Sequence, residues 1–454
     1  MSSRSGCTLI GSLALWAATG GVPAQGAPRQ VGQAPESLAT LSLPARAAVF
    51  ATRKIADETA AIALGTLGGT KFAFVCNALR RSSTTNARGH VFLNPSVQRV
   101  NLATGSVETV LRGLDGCGAL VLTSWGTLVA GERGPDGGLY EVLEPAATKN
   151  VPILDRSTGR VPTRFARVVQ RVSSVPQMAS SGALIRGPGA LYLLDGRPAT
   201  ATQPGGYLYK LIPRHPAGGG LIDSLEDSPL RAGELLVLLA RCSATDSATG
   251  SCLEGRGRWA PLARRDGAAT RVDPRFARRD AAAAGALSLH RPKGLRLDPG
   301  IFTLPDRFTA PLCWTDLGQR APLSYPRVFC AVDEAFDPRS SVGIWSAILT
   351  PPGDPAFGDL EFEARTDSYL VGQQAGGGSV RLCQRDSEDD ADLLSEGCVT
   401  VLSTLDETAK PAALATSRSG DLFVVLRGSD DSLMPLYQGF PTDDLIVVTG
   451  LADR

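Results

Sequence analysis

Among the residues of this 454-residue chain, its nine cysteines could do the widest range of chemistry, as disulfides, metal ligands or nucleophiles. Cys7 lies in an apolar N-terminal stretch, and the other eight are spread over the rest of the chain. None of them has the Cys-x-x-Cys spacing that is typical of thiolate metal sites. Eight cysteines allow many pairings, but proximity in the sequence favours three pairs and leaves two cysteines for a fourth. We therefore predict the disulfides Cys242–Cys252, Cys313–Cys330, Cys383–Cys398 and Cys76–Cys117.

The histidines and the common catalytic motifs offer few candidates for a reactive centre. Only three histidines are present, His90, His215 and His290, which is too few for a histidine-rich zinc or copper site. The sequence contains no Gly-x-Ser-x-Gly, His-Glu-x-x-His or P-loop motif. We interpret His290, which precedes Arg291-Pro292, as a structural residue rather than as the base of a hydrolase triad.

The composition argues against several classes of protein. With 46 basic and 45 acidic side chains, the chain has no basic excess to neutralise nucleic-acid phosphates or to coat an anionic membrane. Hydrophobic residues make up 43%, which is enough to bury a core. Its 50 glycines and 31 prolines disfavour helices. No run beyond the N-terminus approaches the ~18 apolar residues of a membrane span. We expect a mainly β protein with neither a nucleic-acid partner nor a membrane span.

The N-terminus has the features of a secretory signal peptide. Arg4 is followed by the apolar stretch from Cys7 to Ala18 and then by small residues around Val22-Pro23-Ala24. We predict a signal peptide over residues 1–26, and a disordered tail is the alternative. Export agrees with the predicted disulfides, which persist in oxidising compartments. We therefore expect a secreted, periplasmic or cell-surface protein with a linker over 27–45 and one domain over 46–454.

The chain also contains an internal repeat of an apolar strand, a turn with glycine and a second apolar strand. A third apolar segment that ends in proline follows two of the copies, at Gly137–Pro145 and Gly205–Pro213. Repeated hairpins predict an all-β propeller of four-stranded blades, with a series of β-sandwiches as the alternative. We predict a short helix over Phe276–Ala286, in an insert over about 214–290. The four copies of the repeat are Gly118–Ala130, Gly182–Leu194, Lys293–Leu304 and Ala412–Val425.

These repeats resemble sequence elements of PhoX-type alkaline phosphatases. Ser124-Trp125-Gly126-Thr127, followed by Glu132, is similar to the family's PWGTWLTCEE element, and Tyr207–Pro213 is similar to YLYRFVP. Arg258–Leu262 with Ala281–Gly294, and then Lys410–Gly428, resemble two further elements in the family's order. The resemblance implies a secreted β-propeller with calcium and iron at its axis and phosphomonoesterase activity.

The resemblance also implies which positions carry metal ligands, and most of them have changed in this chain. The family's first glutamate is kept as Glu132, and the acid that follows the next hairpin is kept as Asp195. Three ligand positions have become cationic: Arg133, Lys293 and Arg427. Calcium and ferric iron need clustered oxygen ligands, and added positive charge repels them. The remaining ligand positions fall on Gly131, Ser180, Ser181, Ala412, Val425 and Leu426.

Three functional interpretations follow from the replacement of metal-ligand positions by cationic residues. The first is a metal-free, non-catalytic binding or scaffold protein in which Arg133, Lys293 and Arg427 bind an anionic ligand or a partner protein. In the second, these cations only pair with Glu132 and Asp195 and hold the blades together. The third is a phosphoric monoester hydrolase with an altered centre, in which Glu132 and Asp195 are catalytic or hold calcium, iron or one other divalent ion. The first predicts no cofactor.

Overall fold

A computed structural model describes most of the chain from Ala39 to Thr449. The predicted signal peptide, residues 1–26, lies outside the described residues. The described ranges are 39–41, 48–56, 59–85, 88–187, 189–200, 203–216, 220–245, 252–262, 277–299, 309–316, 327–334, 336–349, 357–363, 368–373, 378–384, 397–405, 408–427 and 442–449.

The described residues form 29 β-strands and one α-helix. The strands up to residue 200 are β1 (Ala39–Leu41), β2 (Ala48–Ala56), β3 (Thr59–Leu67), β4 (Thr70–Asn77), β5 (Ser83–Thr85), β6 (Val91–Leu93), β7 (Pro95–Asn101), β8 (Val107–Arg112), β9 (Cys117–Leu122), β10 (Leu128–Glu132), β11 (Leu139–Val142), β12 (Val151–Pro152), β13 (Val169–Arg171), β14 (Ser180–Arg186) and β15 (Ala190–Asp195). The later elements are β16 (Leu208–Pro213), β17 (Gly233–Thr245), β18 (Cys252–Pro261), α1 (Ala277–Ala284), β19 (Pro292–Leu297), β20 (Thr309–Asp316), β21 (Arg327–Glu334), β22 (Ser341–Leu349), β23 (Phe357–Glu363), β24 (Ser368–Gln373), β25 (Ser379–Gln384), β26 (Cys398–Thr404), β27 (Lys410–Thr416), β28 (Leu422–Arg427) and β29 (Thr442–Thr449).

Most of these strands belong to six four-stranded antiparallel units, which we call blades 1 to 6. The innermost strand of each blade packs against the innermost strand of the next, and the last packs against the first, so the ring is closed. This arrangement is a six-bladed β-propeller, which confirms the predicted fold class. From the inside outward the blades are β3-β4-β7-β8, β9-β10-β11-β13, β14-β15-β16-β17, β19-β20-β21-β22, β23-β24-β25-β26 and β27-β28-β29-β2.

The N-terminal strands complete the two C-terminal blades. Strand β2 is the outermost strand of blade 6, where Ala48 lies opposite Thr449 and Ala56 opposite Thr442. Strand β1, which lies in the predicted linker, adds to the outer edge of blade 5 beside β26. Strands from the two ends of the described chain therefore lie side by side in the same sheets. This pairing links the start of the ring to its end and covers sheet edges that would otherwise be unpaired.

The glycine turns of the repeat form the inner hairpins of the blades. The copies at Gly118–Ala130, Gly182–Leu194 and Ala412–Val425 coincide with β9–β10, β14–β15 and β27–β28. Gly126, Gly189 and Gly420 have φ angles of 86°, 131° and 86°, a region that other residues rarely adopt. In the remaining copy, residues 300–304 lie outside the described residues, and β19 pairs with β20 instead. The two segments that end in proline contain β11 and β16, the third strands of blades 2 and 3.

The predicted insert over 214–290 contains both blade and non-blade elements. Strand β17 pairs with β16 and is the fourth strand of blade 3. Strand β18 then pairs with β17 on one side and with β22 on the other, so blades 3 and 4 are joined in one nine-stranded sheet. The helix α1 lies within the predicted helical range, and its Ala277 and Ala281 are buried in the core.

Four disulfides are present, and they are the four pairs that the sequence predicts. Cys313–Cys330 and Cys383–Cys398 each join directly opposite residues of neighbouring strands, with Cα atoms 4.1 Å apart. Cys76–Cys117 joins β4 of blade 1 to the inner strand β9 of blade 2. No helix among the described residues has the length and hydropathy needed to cross a membrane.

Candidate functional site

The candidate site lies at one end of the ring of inner strands, which we call the channel mouth. In each blade the first two strands form an antiparallel hairpin. The start of the inner strand therefore lies beside the end of the second strand. Glu132 lies opposite Cys117, Asp195 opposite Ser180, and Arg427 opposite Lys410. Lys293 is the second residue of the inner strand β19. The repeated blade geometry therefore brings the retained acids and the three cations to the same end of the propeller.

Glu132 is wholly buried and is fully used in local contacts. Its Oε1 accepts hydrogen bonds from the backbone N–H of Asp115 at 2.9 Å and from Arg156 Nε at 2.6 Å. Its Oε2 accepts one from the backbone N–H of Gly138 at 2.8 Å. Charge-assisted bonds of this kind hold a buried carboxylate firmly. Glu132 therefore anchors the loop that enters blade 2 and has little capacity left for a metal ion.

Asp195 is paired in a similar way with the helix α1. Arg278 forms an ion pair with Asp195 Oδ2, and the backbone N–H of Arg197 donates to Oδ1 at 3.3 Å. Burial raises the pKa of Asp195 above its ordinary value, and the charge of Arg278 opposes that shift. The second retained acid is therefore also occupied by an arginine, from a part of the chain 83 residues away.

The corresponding carboxylate of blade 4 has the same anchoring role. Asp316, at the end of β20, accepts hydrogen bonds from the backbone N–H groups of His290 at 2.8 Å and Arg291 at 2.9 Å. These residues lead into the inner strand β19, just as Asp115 leads into β9. An acid at the end of the second strand therefore holds the segment that precedes the inner strand of the same blade. This role does not require a metal.

Lys293 and Arg296 extend from blade 4 across the inner strand of blade 5 to blade 6. Lys293 Nζ donates to the carbonyl oxygen of Ala412 at 2.7 Å, and an Arg296 terminal nitrogen donates to that of Leu414 at 3.0 Å. Since blades 4 and 6 are not neighbours, both side chains pass through the space that the inner strands surround. Arg296 also forms ion pairs with Asp359 at 3.2 Å and Glu361 at 3.1 Å on β23.

The charges of the other cations act directly on Lys293. Its pKa is lowered to about 8, first by its enclosed position and then by the positive charges of Arg133, Arg427 and Arg296. Asp359 is the one carboxylate that opposes the shift among the charges named. Lys293 still keeps partial contact with solvent because it faces the channel. The charges of Arg133 and Arg427 therefore both act on Lys293, and we call these three residues the cation cluster.

The two retained acids have arginine partners other than the cations that the second interpretation names. That interpretation pairs the three cations with Glu132 and Asp195. In the structure Arg156 and Arg278 occupy those two acids. Arg156 follows β12 and Arg278 lies in α1, so both acids pair with arginines from parts of the chain that the resemblance does not assign to the site.

The other expected ligand positions do not supply a metal centre. A Cβ atom on Gly131 would lie 2.6 Å from the Ser180 side chain, so the family's cysteine cannot fit there without movement of Ser180. Val425 and Leu426 are buried in hydrophobic clusters, and Ala412 contributes its carbonyl oxygen to Lys293. Ser181 Oγ donates to the carbonyl oxygen of Leu194 at 3.3 Å. The donor set does not fit the clustered carboxylates that calcium and ferric iron require.

Only one other group of side chains needs consideration as a metal site in the described part of the chain. Asp298, Cys313 and Cys330 have ligand atoms close enough to share an ion. Cys313 and Cys330 are joined in a disulfide, so neither is available as a thiolate. This group therefore offers one carboxylate and no complete ligand set.

Comparison with solved structures identifies the fold. The chain is similar to Pseudomonas fluorescens PhoX in complex with vanadate, with a TM-score of 0.55 and 12% identity over 88% of this chain and 89% of that one. It is also similar to the PQQ-bound aldose sugar dehydrogenase of Streptomyces coelicolor, with a TM-score of 0.44 and 11% identity over 91% and 100% of the chains. At such identities the similarity to PhoX shows the β-propeller fold alone. No protein-family model and no curated protein matches the sequence.

Sequence reasoning missed several residues that shape the channel mouth. Asp359 and Glu361 alternate along the inner strand β23, and this period-two pattern was a usable signal for a polar face toward the channel. Arg296 lies three residues after Lys293, a spacing that gives no period-two signal, and the register of β19 shifts between the two residues. Arg156 and Arg278 gave no local signal, because their partners are distant in the sequence.

Proposed function

We propose that this chain is an exported, PhoX-like propeller that binds a small anion at its channel mouth and has no catalytic role in phosphoryl transfer. The observation that carries the proposal is that cationic side chains replace metal ligands at the channel mouth. Three positions that the resemblance assigns to metal ligands are the cations Arg133, Lys293 and Arg427. Lys293 Nζ reaches the carbonyl oxygen of Ala412 in blade 6, and the charges of both arginines act on it. The two retained acids are already paired with Arg156 and Arg278.

The chemistry of the cluster indicates an oxyanion ligand. A guanidinium group presents parallel N–H donors that match a carboxylate, sulfate or phosphate, and an ammonium group adds a compact charge. The propeller walls limit the solvent around Lys293, so the attraction is screened less than on an open surface. A bound anion also offsets the repulsion among the three cations. The proposed ligand is therefore a small oxyanion that enters at the channel mouth.

A second candidate function is a phosphomonoesterase with an altered centre. It is favoured by the fold similarity to PhoX and by the presence of Glu132 and Asp195 at the channel mouth. For either acid to bind a metal, it must first release its arginine. The cation cluster would then hold the phosphate group of the substrate, and the metal would supply Lewis-acid chemistry.

One experiment separates the two functions. The oxidised protein without its signal peptide is analysed for metal content after incubation with calcium and iron, and hydrolysis of p-nitrophenyl phosphate is measured in parallel. Binding without catalysis predicts no stoichiometric metal and no turnover, while sulfate or phosphate still binds. Stoichiometric metal together with turnover that is lost in Glu132→Gln overturns the proposal and supports the phosphomonoesterase.

Export is part of the proposal and is supported by two observations. The first residues have the charge and apolar pattern of a signal peptide, and four disulfides are present. Disulfides of this density are typical of proteins that mature in an oxidising compartment. Fractionation of producing cells, with the size of the mature chain measured by mass spectrometry, tests both the compartment and the cleavage near residue 26.

A further inference from the structure

A second site lies on the outside of the propeller, where β17 and β18 extend beyond blade 3. Strand β17 pairs with β16 only over Gly233–Val237, and its remaining part continues to Thr245 paired with β18 alone. Residues Glu254–Arg258 of β18 pair in turn with β22 of blade 4. The Cys242–Cys252 disulfide closes this hairpin. The result is a stiff three-stranded surface at the outer edges of blades 3 and 4.

Two arginines lie directly opposite each other on one face of this surface. Arg241 is the cross-strand partner of Arg256, and both are exposed. Opposed like charges on a sheet are destabilising unless something neutralises them. Neither arginine forms an ion pair with any residue that the structure describes. The pair is therefore suited to bind an oxyanion between its two guanidinium groups.

The arginine pair borders a groove with an aromatic wall. Gly343 lies opposite Arg256, and a Cβ atom there would meet no atom within 4 Å, so the floor beside the arginines is open. Trp345 is the next residue on that face and lies opposite Glu254. Its ring packs partly against the cluster that contains Cys313 and Cys330, which fixes its position. We call this feature, about 560 Å³ in volume and lined by Arg241, Glu254, Arg256, Gly343 and Trp345 among others, the outer groove.

We propose that the outer groove binds an acidic polysaccharide. One carboxylate or sulfate of the polymer lies between Arg241 and Arg256, and an adjoining sugar ring lies over Gly343 against Trp345. Glu254 accepts hydrogen bonds from sugar hydroxyl groups. This ligand differs in size from the small anion proposed for the channel mouth.

The strand pairing favours a polysaccharide over an acidic peptide. Extended peptides usually gain affinity by adding a strand to a free sheet edge. In the groove, β18 lies between β17 and β22, so the backbone of Glu254–Arg258 is already paired on both sides. A ligand on this part of the surface is therefore recognised through side chains, and arginine, carboxylate and indole groups together suit a charged sugar. The edge of β17 beyond Val237 pairs with no described strand on its other side, so an acidic peptide that adds there is the competing ligand that poly-glutamate tests.

The test is a calorimetric titration of the oxidised full domain with oligogalacturonate, with a neutral galacto-oligosaccharide and poly-glutamate as comparison ligands. We expect the native protein to bind oligogalacturonate at least ten-fold more tightly than either comparison ligand. Arg241→Gln/Arg256→Gln should lose at least ten-fold in affinity for it, and Trp345→Leu should lose about five-fold. The matched control Arg418→Gln changes an exposed arginine in the turn between β27 and β28, outside both proposed sites, and should bind oligogalacturonate like the native protein.

The outcomes separate this proposal from that for the channel mouth. A urea denaturation midpoint equal to that of the native protein shows that the Arg241→Gln/Arg256→Gln variant is folded. Equal oligogalacturonate affinity in this variant and the native protein overturns the outer groove as the site. Poly-glutamate that binds as tightly as oligogalacturonate overturns the polysaccharide assignment in favour of an acidic peptide. A complete lack of binding by the folded native protein overturns the proposal as a whole.

Discussion

Arg156 Nε donates a hydrogen bond of 2.6 Å to Oε1 of Glu132, whose carboxylate is closed off from solvent. This contact joins a loop of blade 2 to the end of its second strand. A buried carboxylate that loses its cationic partner is left with an uncompensated charge, which costs several kcal/mol. The contact therefore gives Glu132 a structural role that does not require a metal.

Replacement of Glu132 should affect stability before it affects any ligand. In Glu132→Ala the backbone N–H groups of Asp115 and Gly138 and the side chain of Arg156 lose their common acceptor. We expect the free energy of unfolding to fall by about 3 to 5 kcal/mol, measured by urea denaturation with chelator present. The exposed Glu226→Gln is the control and should be neutral. A Glu132 variant that is fully stable in chelator, and that loses stability relative to the native protein only when metal is added, contradicts this account.

The Asp195–Arg278 pair predicts a stability loss that depends on pH. Arg278→Met leaves Asp195 buried without its counter-charge and should cost about 2 to 4 kcal/mol at pH 7.5. The pKa of Asp195 is already raised in the folded protein and should rise further in the variant. A raised carboxyl pKa makes the folded state bind more protons than the unfolded state, so stability falls as pH rises above the ordinary value of 3.8.

The loss in Arg278→Met should therefore become smaller when the pH is lowered from 7.5 to 5. Urea denaturation at both pH values measures the difference from the native protein. The double variant Arg278→Met/Asp195→Asn removes the buried charge and should recover part of the loss at pH 7.5. A deficit in Arg278→Met that does not change with pH, and that Asp195→Asn does not relieve, excludes a charge origin.

Anion binding at the channel mouth should weaken as Lys293 loses its proton. The folded pKa of Lys293 is about 8, below the ordinary 10.5, so its charge is present below pH 8 and is lost as pH rises through that value. Sulfate does not titrate in this range and is the suitable probe. We expect its dissociation constant to rise roughly five- to ten-fold between pH 7 and pH 9, since binding is linked to protonation of the amine. Lys293→Arg keeps its charge and should show a flat profile, and a flat profile in the native protein as well rules out a role for Lys293.

The disulfide between Cys76 and Cys117 should contribute more to stability than that between Cys242 and Cys252. The first closes a loop with a sequence separation of 41 and the second one of 10. A chain-entropy model gives about 4 kcal/mol for the longer loop and about 3 kcal/mol for the shorter. Both cysteines of the first pair are also fully buried. Paired Cys→Ser variants compared by urea denaturation check the order, and a larger loss for the shorter loop would contradict it.

Much of the fold could be predicted from the sequence because its main signals are local. A turn glycine two residues before a large apolar residue recurs in three blades, where it takes a positive φ angle that other residues avoid. Blade 1 has the same hairpin with a Gly68-Gly69 turn at a different spacing, so the repeat did not identify it. Closure by β1 and β2 depends on pairing between the two ends of the chain, for which no local pattern exists.

The candidate site could be predicted only in part, for a related reason. The resemblance gave the positions of Arg133, Lys293 and Arg427, and the propeller geometry places them at one end. The arginines that occupy Glu132 and Asp195 were not foreseen. Arg156 lies in a loop 24 residues beyond Glu132, and Arg278 follows a long connection to α1. Such pairs are set by tertiary packing, which leaves no periodic trace in the sequence.

We propose above all that the channel mouth binds an anion without a metal. The most direct measurement is a calorimetric titration of the oxidised, chelator-treated protein with sulfate at pH 7 in low salt. It is repeated for Arg133→Gln and for the exposed control Arg80→Gln. We predict saturable binding that Arg133→Gln weakens about five-fold or more and that Arg80→Gln leaves unchanged. Absence of binding in chelator, with binding restored only by calcium or iron, would contradict the claim.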